Sequence, residues 1–155
     1  MLGAPQDDQP LIGALLRMPV DAVRHRMLRD LHAAGFTDLM SAHFAVLRYP
    51  GPDGRRPSDV AAEAGMTKQA MNYLLGQLEK LGYLVRGDDA ADKRSRRIKL
   101  TPRGLAVRQC LRATVATIEA ELASELGSAE FGQLRELLVR LNRSSLVAEF
   151  LQANH

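Results

Sequence analysis

Two short helical patterns, "SDVAAEAG" and "KQAMNYLLGQLEKLG", are separated by only Gly65, Met66 and Thr67. Three residues leave room for one tight turn, which is the spacing of a helix-turn-helix. Ser58 is expected to cap the first helix, which stops at Gly65, and Thr67 to cap the second, which stops at Gly82. "YLVR", Tyr83 to Arg86, then reads as a short strand, and "RRIKL", Arg96 to Leu100, as its antiparallel partner across an exposed loop. A hairpin directly after a helix-turn-helix makes a winged helix. One helix then suits the major groove of DNA, and the wing suits the backbone or the narrow minor groove.

The second helix has two unlike sides. At 100° per residue, Met71, Leu74, Leu75, Leu78 and Leu81 share one side, which is core. Gln69, Asn72, Tyr73, Gly76 and Lys80 share the other. Amides can pair with two atoms of an adenine edge, and a phenol can reach a phosphate or stack. Gly76 lowers helix propensity by roughly 1 kcal/mol relative to Ala, and there it would let another backbone approach closely.

The charge is uneven. Arg86 to Arg103 holds seven basic and three acidic residues, a net +4, whereas the rest holds 14 basic and 15 acidic residues, a net −1. A basic patch on a near-neutral body points to a polyanion. Lys93, Arg94, Arg96 and Arg97 are therefore candidate phosphate contacts.

Around this unit the chain is helical. With 155 residues it is one domain with helical extensions, and aromatics are only 5%, so Leu, Ala, Val and Met must fill the core. The arm to about Gln9 is expected to be loosely attached. A helical pattern follows from Pro10 to Ala34, in which Pro19 either kinks one helix or starts another, and Gly35 ends it. A second helix is expected from about Asp38 to Tyr49 with Thr37 as its cap, followed by the loop "YPGPDGRRP". Thr101 with Pro102 marks the start of a long helix to Leu126. Gly127 ends it, and Ser128 is expected to cap a last helix from about Ala129 to Gln152. No apolar run is long enough to cross a membrane and no signal peptide is evident, so a cytoplasmic location is expected.

These residues resemble the MarR family of bacterial transcription regulators from about Gly35 to Gly104. "SDVAAEAGMTKQAMNYLLGQLEKLGYLVR" is similar to the family's helix-turn-helix and first wing strand. "DKRSRRIKLTPRG" is similar to its signature, with Asp92, Arg94, Leu100, Thr101 and Gly104 in the matching places. The fold expected is mainly α with a small β-hairpin wing. Residues 1–36 would form an N-terminal arm and dimerisation helix, 37–101 the winged helix-turn-helix, and 102–155 C-terminal dimerisation helices.

The resemblance implies a homodimer on a pseudo-palindromic, double-stranded DNA operator. Thr67, Lys68, Gln69, Asn72 and Tyr73 would face the major groove and its phosphates. Arg94 would enter the minor groove, held by an ion pair with Asp92. Asp88 and Asp89 lower the charge at the wing tip, and the loop from Tyr49 to Pro57 is longer than usual for the family.

The resemblance also implies a pocket for a small aromatic ligand, with His25, Arg29, His32, Met40, His43 and Phe44 as candidate walls. The histidines lack the i, i+4 spacing of a metal pair, so no metal and no other cofactor is expected. The single cysteine, Cys110, is expected to be buried and inert in the long helix. No nucleophile elbow or phosphate loop supports an enzyme. The expected function is a sequence-specific transcription regulator, a repressor by preference. The competing readings are a winged-helix protein-interaction module and a nonspecific nucleoid-type binder.

Overall fold

A computed structural model describes residues 9–48, 54–88 and 96–153. Helix α1 spans Ile12–Ala33 and runs through Pro19 without interruption. A 3₁₀ turn at Ser41–His43 leads into the short α2, Phe44–Leu47. The helix expected from Asp38 under a Thr37 cap therefore starts later and is shorter. Its start is set at Met40, whose backbone N–H donates to His43 Nδ1 at 3.1 Å. Asp38 is engaged instead by Tyr83 and Arg103, at 2.5 and 2.9 Å.

Helices α3, Pro57–Ala64, and α4, Lys68–Lys80, form the helix-turn-helix. Pro57 takes the first helical position and Arg56 the cap, so Ser58 lies inside α3 rather than capping it. A proline has no N–H to leave unpaired there. Gly65 ends α3 in the left-handed conformation, φ 62°, and Thr67 begins α4 by accepting from the Ala70 N–H at 3.2 Å.

Strands β1, Leu84–Asp88, and β2, Arg96–Leu100, pair antiparallel with Leu84 opposite Leu100 and Asp88 opposite Arg96. The first strand starts and ends later than its pattern suggested. Arg55 adds a bridge on the other edge of β2, donating to Ile98 O at 3.1 Å and accepting from Ile98 N at 2.7 Å. A pairing of one residue leaves no alternation to read in a sequence.

Helix α5 spans Pro102–Leu126 under the expected Thr101 cap. The last helix is two: α6, Ser128–Leu141, and α7, Ser145–Ala153. Gly127 rather than Ser128 precedes α6. The chain breaks at Asn142–Ser144, where Ser144 Oγ accepts from Val147 N at 3.5 Å.

The core lies under the winged helix. Leu31 of α1, Leu39, Val46 and Leu47 meet Val60, Met71, Leu75 and Leu78, with Tyr83, Leu84 and Ile98 from the wing and Val107 and Leu111 from α5. Helices α1 and α5 run antiparallel, joined by the Arg26–Glu121 pair and by Thr114 Oγ1 donating to Asp30 Oδ2 at 3.0 Å. Other apolar side chains have no cover within one chain. Leu11, Ile12, Leu15 and Met18 on α1 and Leu134, Leu137, Leu138 and Val139 on α6 are exposed, and α6 buries no residue fully.

Candidate nucleic-acid interface

The apolar side of α4 anchors it: Met71, Leu74, Leu75 and Leu78 are all buried. Thr67, Lys68, Gln69, Asn72 and Tyr73 are exposed on the surface that remains, with Tyr73 at 68% exposure. The helix therefore presents amides, a phenol and one lysine together, clear of the core. The Tyr73 hydroxyl accepts from Gln77 Nε2 at 3.1 Å, an i, i+4 contact along the helix.

Gly76 lies in the second half of α4. Arg86 of β1 lies across α4 there. Its guanidinium donates to Asn72 O at 3.3 Å and its Nε stands 3.3 Å from Glu79 Oε2. A Cβ on Gly76 would come within 3.7 Å of the same guanidinium. That is ordinary van der Waals contact, so Arg86 ties the wing to the recognition helix without requiring a glycine at this position.

In β2, Ile98 is buried in the core and Arg96 is exposed. Arg97 is half-buried and donates to Gly54 O at 3.3 Å, so it braces the segment before α3. Asp92, Lys93, Arg94 and Asp89 at the wing tip lie outside the described residues, as does Tyr49.

"LTPRG" is a structural clamp. Thr101 Oγ1 donates to Gly82 O at 2.6 Å and accepts from Gly104 N at 3.2 Å. Arg103 donates to Leu81 O at 2.8 Å and to Asp38 at 2.9 Å, and its guanidinium stacks 4.3 Å from the Tyr83 ring centroid. Gly104 packs so closely on Tyr83 that a Cβ would overlap the Tyr83 carbonyl oxygen, while standing 3.2 Å from Leu100 Cβ. The wing, the end of α4 and the start of α5 meet at this point.

The Tyr83 hydrogen bond holds the Asp38 carboxyl below its ordinary value of 3.8 against the opposing effect of burial, with help from Arg103. Burial first, and then Asp38, push the Tyr83 phenol up to about 12. The stabilising contribution of a depressed carboxyl is present above its unfolded value and lost as pH falls through the folded one. Asp38→Asn is therefore expected to lower stability at neutral pH and to flatten the acid limb of the stability curve below about pH 4. Urea melts from pH 7 to pH 2 check this; an unaltered acid slope would remove Asp38 from the clamp.

The six candidate ligand residues lie on α1 and on the segment from Met40 to Phe44. His25 is exposed on α1, and Arg29 is exposed and paired with Asp30 at 2.8 Å. His32 Nε2 lies 2.9 Å from Leu39 O, and Met40 is exposed. His43 is buried between Met40 N and Gln77, and Phe44 is core. A groove on α5 is lined by Leu105, Arg108, Gln109, Arg112 and Ala113, none of them among the six. Cys110 is half-buried rather than buried; desolvation first, and then Asp30, raise its thiol pKa and disfavour the reactive thiolate. Among the described residues no helix is long and apolar enough to cross a membrane.

An amide-bearing recognition helix, held by its own core and braced to a basic hairpin, defines a winged helix-turn-helix protein. Residues 37–95 match the family model described as MarR family. The chain is 30% identical to the HTH-type transcriptional repressor Rv2887 of Mycobacterium tuberculosis over 142 residues, 87% of this chain and 95% of that one. It belongs to the MarR family and is a transcription regulator.

The structure of Rv2887 in complex with salicylic acid aligns with a TM-score of 0.61 at 28% identity, covering 86% of this chain and 98% of that one. CouR from Rhodococcus jostii RHA1, bound to p-coumaroyl-CoA, aligns at 0.69 with 26% identity, covering 88% and 92%. CouR bound to a 23-mer DNA duplex aligns at 0.67 with 26% identity, covering 84% and 92%.

Proposed function

We propose that the protein is a homodimeric, cytoplasmic repressor that grips a pseudo-palindromic operator with one winged helix on each half-site. The observation that carries this reading is the exposed surface of α4, where Gln69, Asn72 and Tyr73 stand together opposite a fully buried apolar side. In this reading residues 37–101 form the DNA-binding unit. Residues 1–36 and 102–155 supply the dimer interface, with the uncovered leucines of α1 and α6 buried against a second copy. That CouR has been seen on a DNA duplex and that Rv2887 is a repressor support it.

Gln69 and Asn72 read base edges, Thr67, Lys68 and Tyr73 touch phosphates, and the wing adds Lys93, Arg94 and Arg96. Arg94 is the minor-groove contact and Asp92 its partner, on the strength of the family resemblance. Arg97 acts from behind, through Gly54. Arg94→Ala is expected to weaken operator binding at least about tenfold at fixed salt. Gln69→Ala is expected to relax preference at one base pair by about 1–3 kcal/mol, read by titrating single-base operator variants. If Gln69→Ala changes only the salt slope, the base-reading role fails.

Release by a small aromatic ligand is the second part of the reading, supported by the salicylic acid complex of Rv2887 and the p-coumaroyl-CoA complex of CouR. His43 and Phe44 are buried and committed to internal contacts. His25, Arg29, His32 and Met40 are the exposed candidates for the ligand.

A further inference from the structure

A line of hydrogen bonds runs from the backbone of the 3₁₀ turn to the surface of α4. Met40 N–H lies 3.1 Å from His43 Nδ1, His43 Nε2 lies 3.2 Å from Gln77 Oε1, and Gln77 Nε2 lies 3.1 Å from the Tyr73 hydroxyl. It begins at a histidine that is 1% exposed and ends at a tyrosine that is 68% exposed.

The direction of every bond follows from the first. A backbone N–H can only donate, so His43 Nδ1 accepts and its ring proton sits on Nε2. Nε2–H then donates to the Gln77 carbonyl oxygen. That fixes which way the amide faces, and its NH₂ group is left to donate to Tyr73. The Tyr73 oxygen is thereby used as an acceptor, and its own proton is turned outward. Thr67, Gln69 and Asn72 share the exposed surface onto which it points.

We propose that His43 and Gln77 are positioning residues that set Tyr73 as a hydrogen-bond donor toward a phosphate oxygen of DNA. This rests on the reading of α4 as the DNA-facing helix. Phosphate oxygens offer acceptors and no donors, so a phenol held in this sense fits them whatever the base sequence. A phenol free to rotate would spend part of its time donating to solvent or to its own helix. The line thus starts at a buried histidine outside α4 and reaches Tyr73 through Gln77, which lies on the same helix.

The test is a double-mutant cycle on the full-length protein with its operator duplex at fixed salt. Tyr73→Phe is expected to weaken binding by about tenfold, by the same factor on the operator and on single-base variants of it. Gln77→Met is expected to weaken binding several-fold when Tyr73 is present and by less than about twofold in the Tyr73→Phe background.

Gln77→Glu guards against a loss of folding. Its carboxylate accepts from His43 and also from the Tyr73 hydroxyl, which reverses the phenol. Its added charge is present in both backgrounds and cancels in the cycle. The expected result is a larger loss when Tyr73 is present than in the Tyr73→Phe background. Equal losses in the two backgrounds, for either Gln77 variant, would overturn the positioning role while leaving wild-type DNA binding intact. A change of preference at one base pair on Tyr73→Phe would overturn the phosphate assignment. Absence of wild-type binding to any duplex would overturn this inference together with the functional reading beneath it.

Discussion

Glutamate at both Leu15 and Leu137 is expected to yield a folded monomer whose affinity for a two-half-site duplex is lower by about 10²–10⁴-fold. The two side chains are 51% and 57% exposed in the single chain, so neither is needed for its own core. Together with Ile12, Met18, Leu134 and Leu138 they form apolar surface on the two helices that flank the winged helix. Large apolar side chains repeated along one helix and left uncovered mark an interaction surface. A carboxylate there costs little in the monomer and several kcal/mol per copy in a dry interface. Loss of the dimer separates the two winged helices, so the second half-site is no longer bound at high effective concentration. Sedimentation and titration together check this. A double variant that remains dimeric, or one that is monomeric and binds as well as wild type, would contradict the interface.

The other large effect is local. Gly104→Ala is expected to cost about 3 kcal/mol or more, or about 6–12 °C in Tm. The added Cβ would overlap the Tyr83 carbonyl oxygen and lie 3.1 Å from the Tyr83 carbonyl carbon. That backbone cannot retreat cheaply. Thr101 N–H donates to the same oxygen at 3.1 Å, and Tyr83 N is itself bonded to Leu78 O at 2.9 Å. Any shift that relieves the overlap disturbs the seam between α4, the wing and α5. Thermal melting of Gly104→Ala against wild type measures it, and a Tm within about 2 °C of wild type would show that the seam yields without loss.

These two effects mark what could be read in the sequence. Elements set by local chemistry were legible. Thr67 and Thr101 as caps, Pro102 at the first helical position, and "RRIKL" as a strand all stand where their residue types put them. The two-sided character of α4 was legible too, because burial of Met71, Leu74, Leu75 and Leu78 follows from helical periodicity.

Features decided by distant partners were not. Asp38 looks like a first-turn helix residue until Tyr83 and Arg103 engage it from 45 and 65 residues away. The reach of Arg86 across α4 to Asn72 O, 14 residues back, shows in neither element alone. The break between α6 and α7 does leave a trace: on one continuous wheel Leu146, Val147 and Phe150 fall opposite Leu134, Leu137, Leu138 and Leu141, and Ser144 is an ordinary cap residue. "LTPRG" could be recognised as a signature, but its role as a clamp emerges only once Tyr83, Leu81 and Gly82 are brought against it.

Recognition of a particular DNA sequence through α4 and the wing can be measured directly. The most direct measurement is titration of wild-type protein against its best genomic fragment and against random duplex, at two salt concentrations. The expected result is a palindromic site preferred by about 10³-fold or more, with affinity for both duplexes falling steeply as salt rises. Equal affinity for both duplexes, or affinity indifferent to salt, would contradict it.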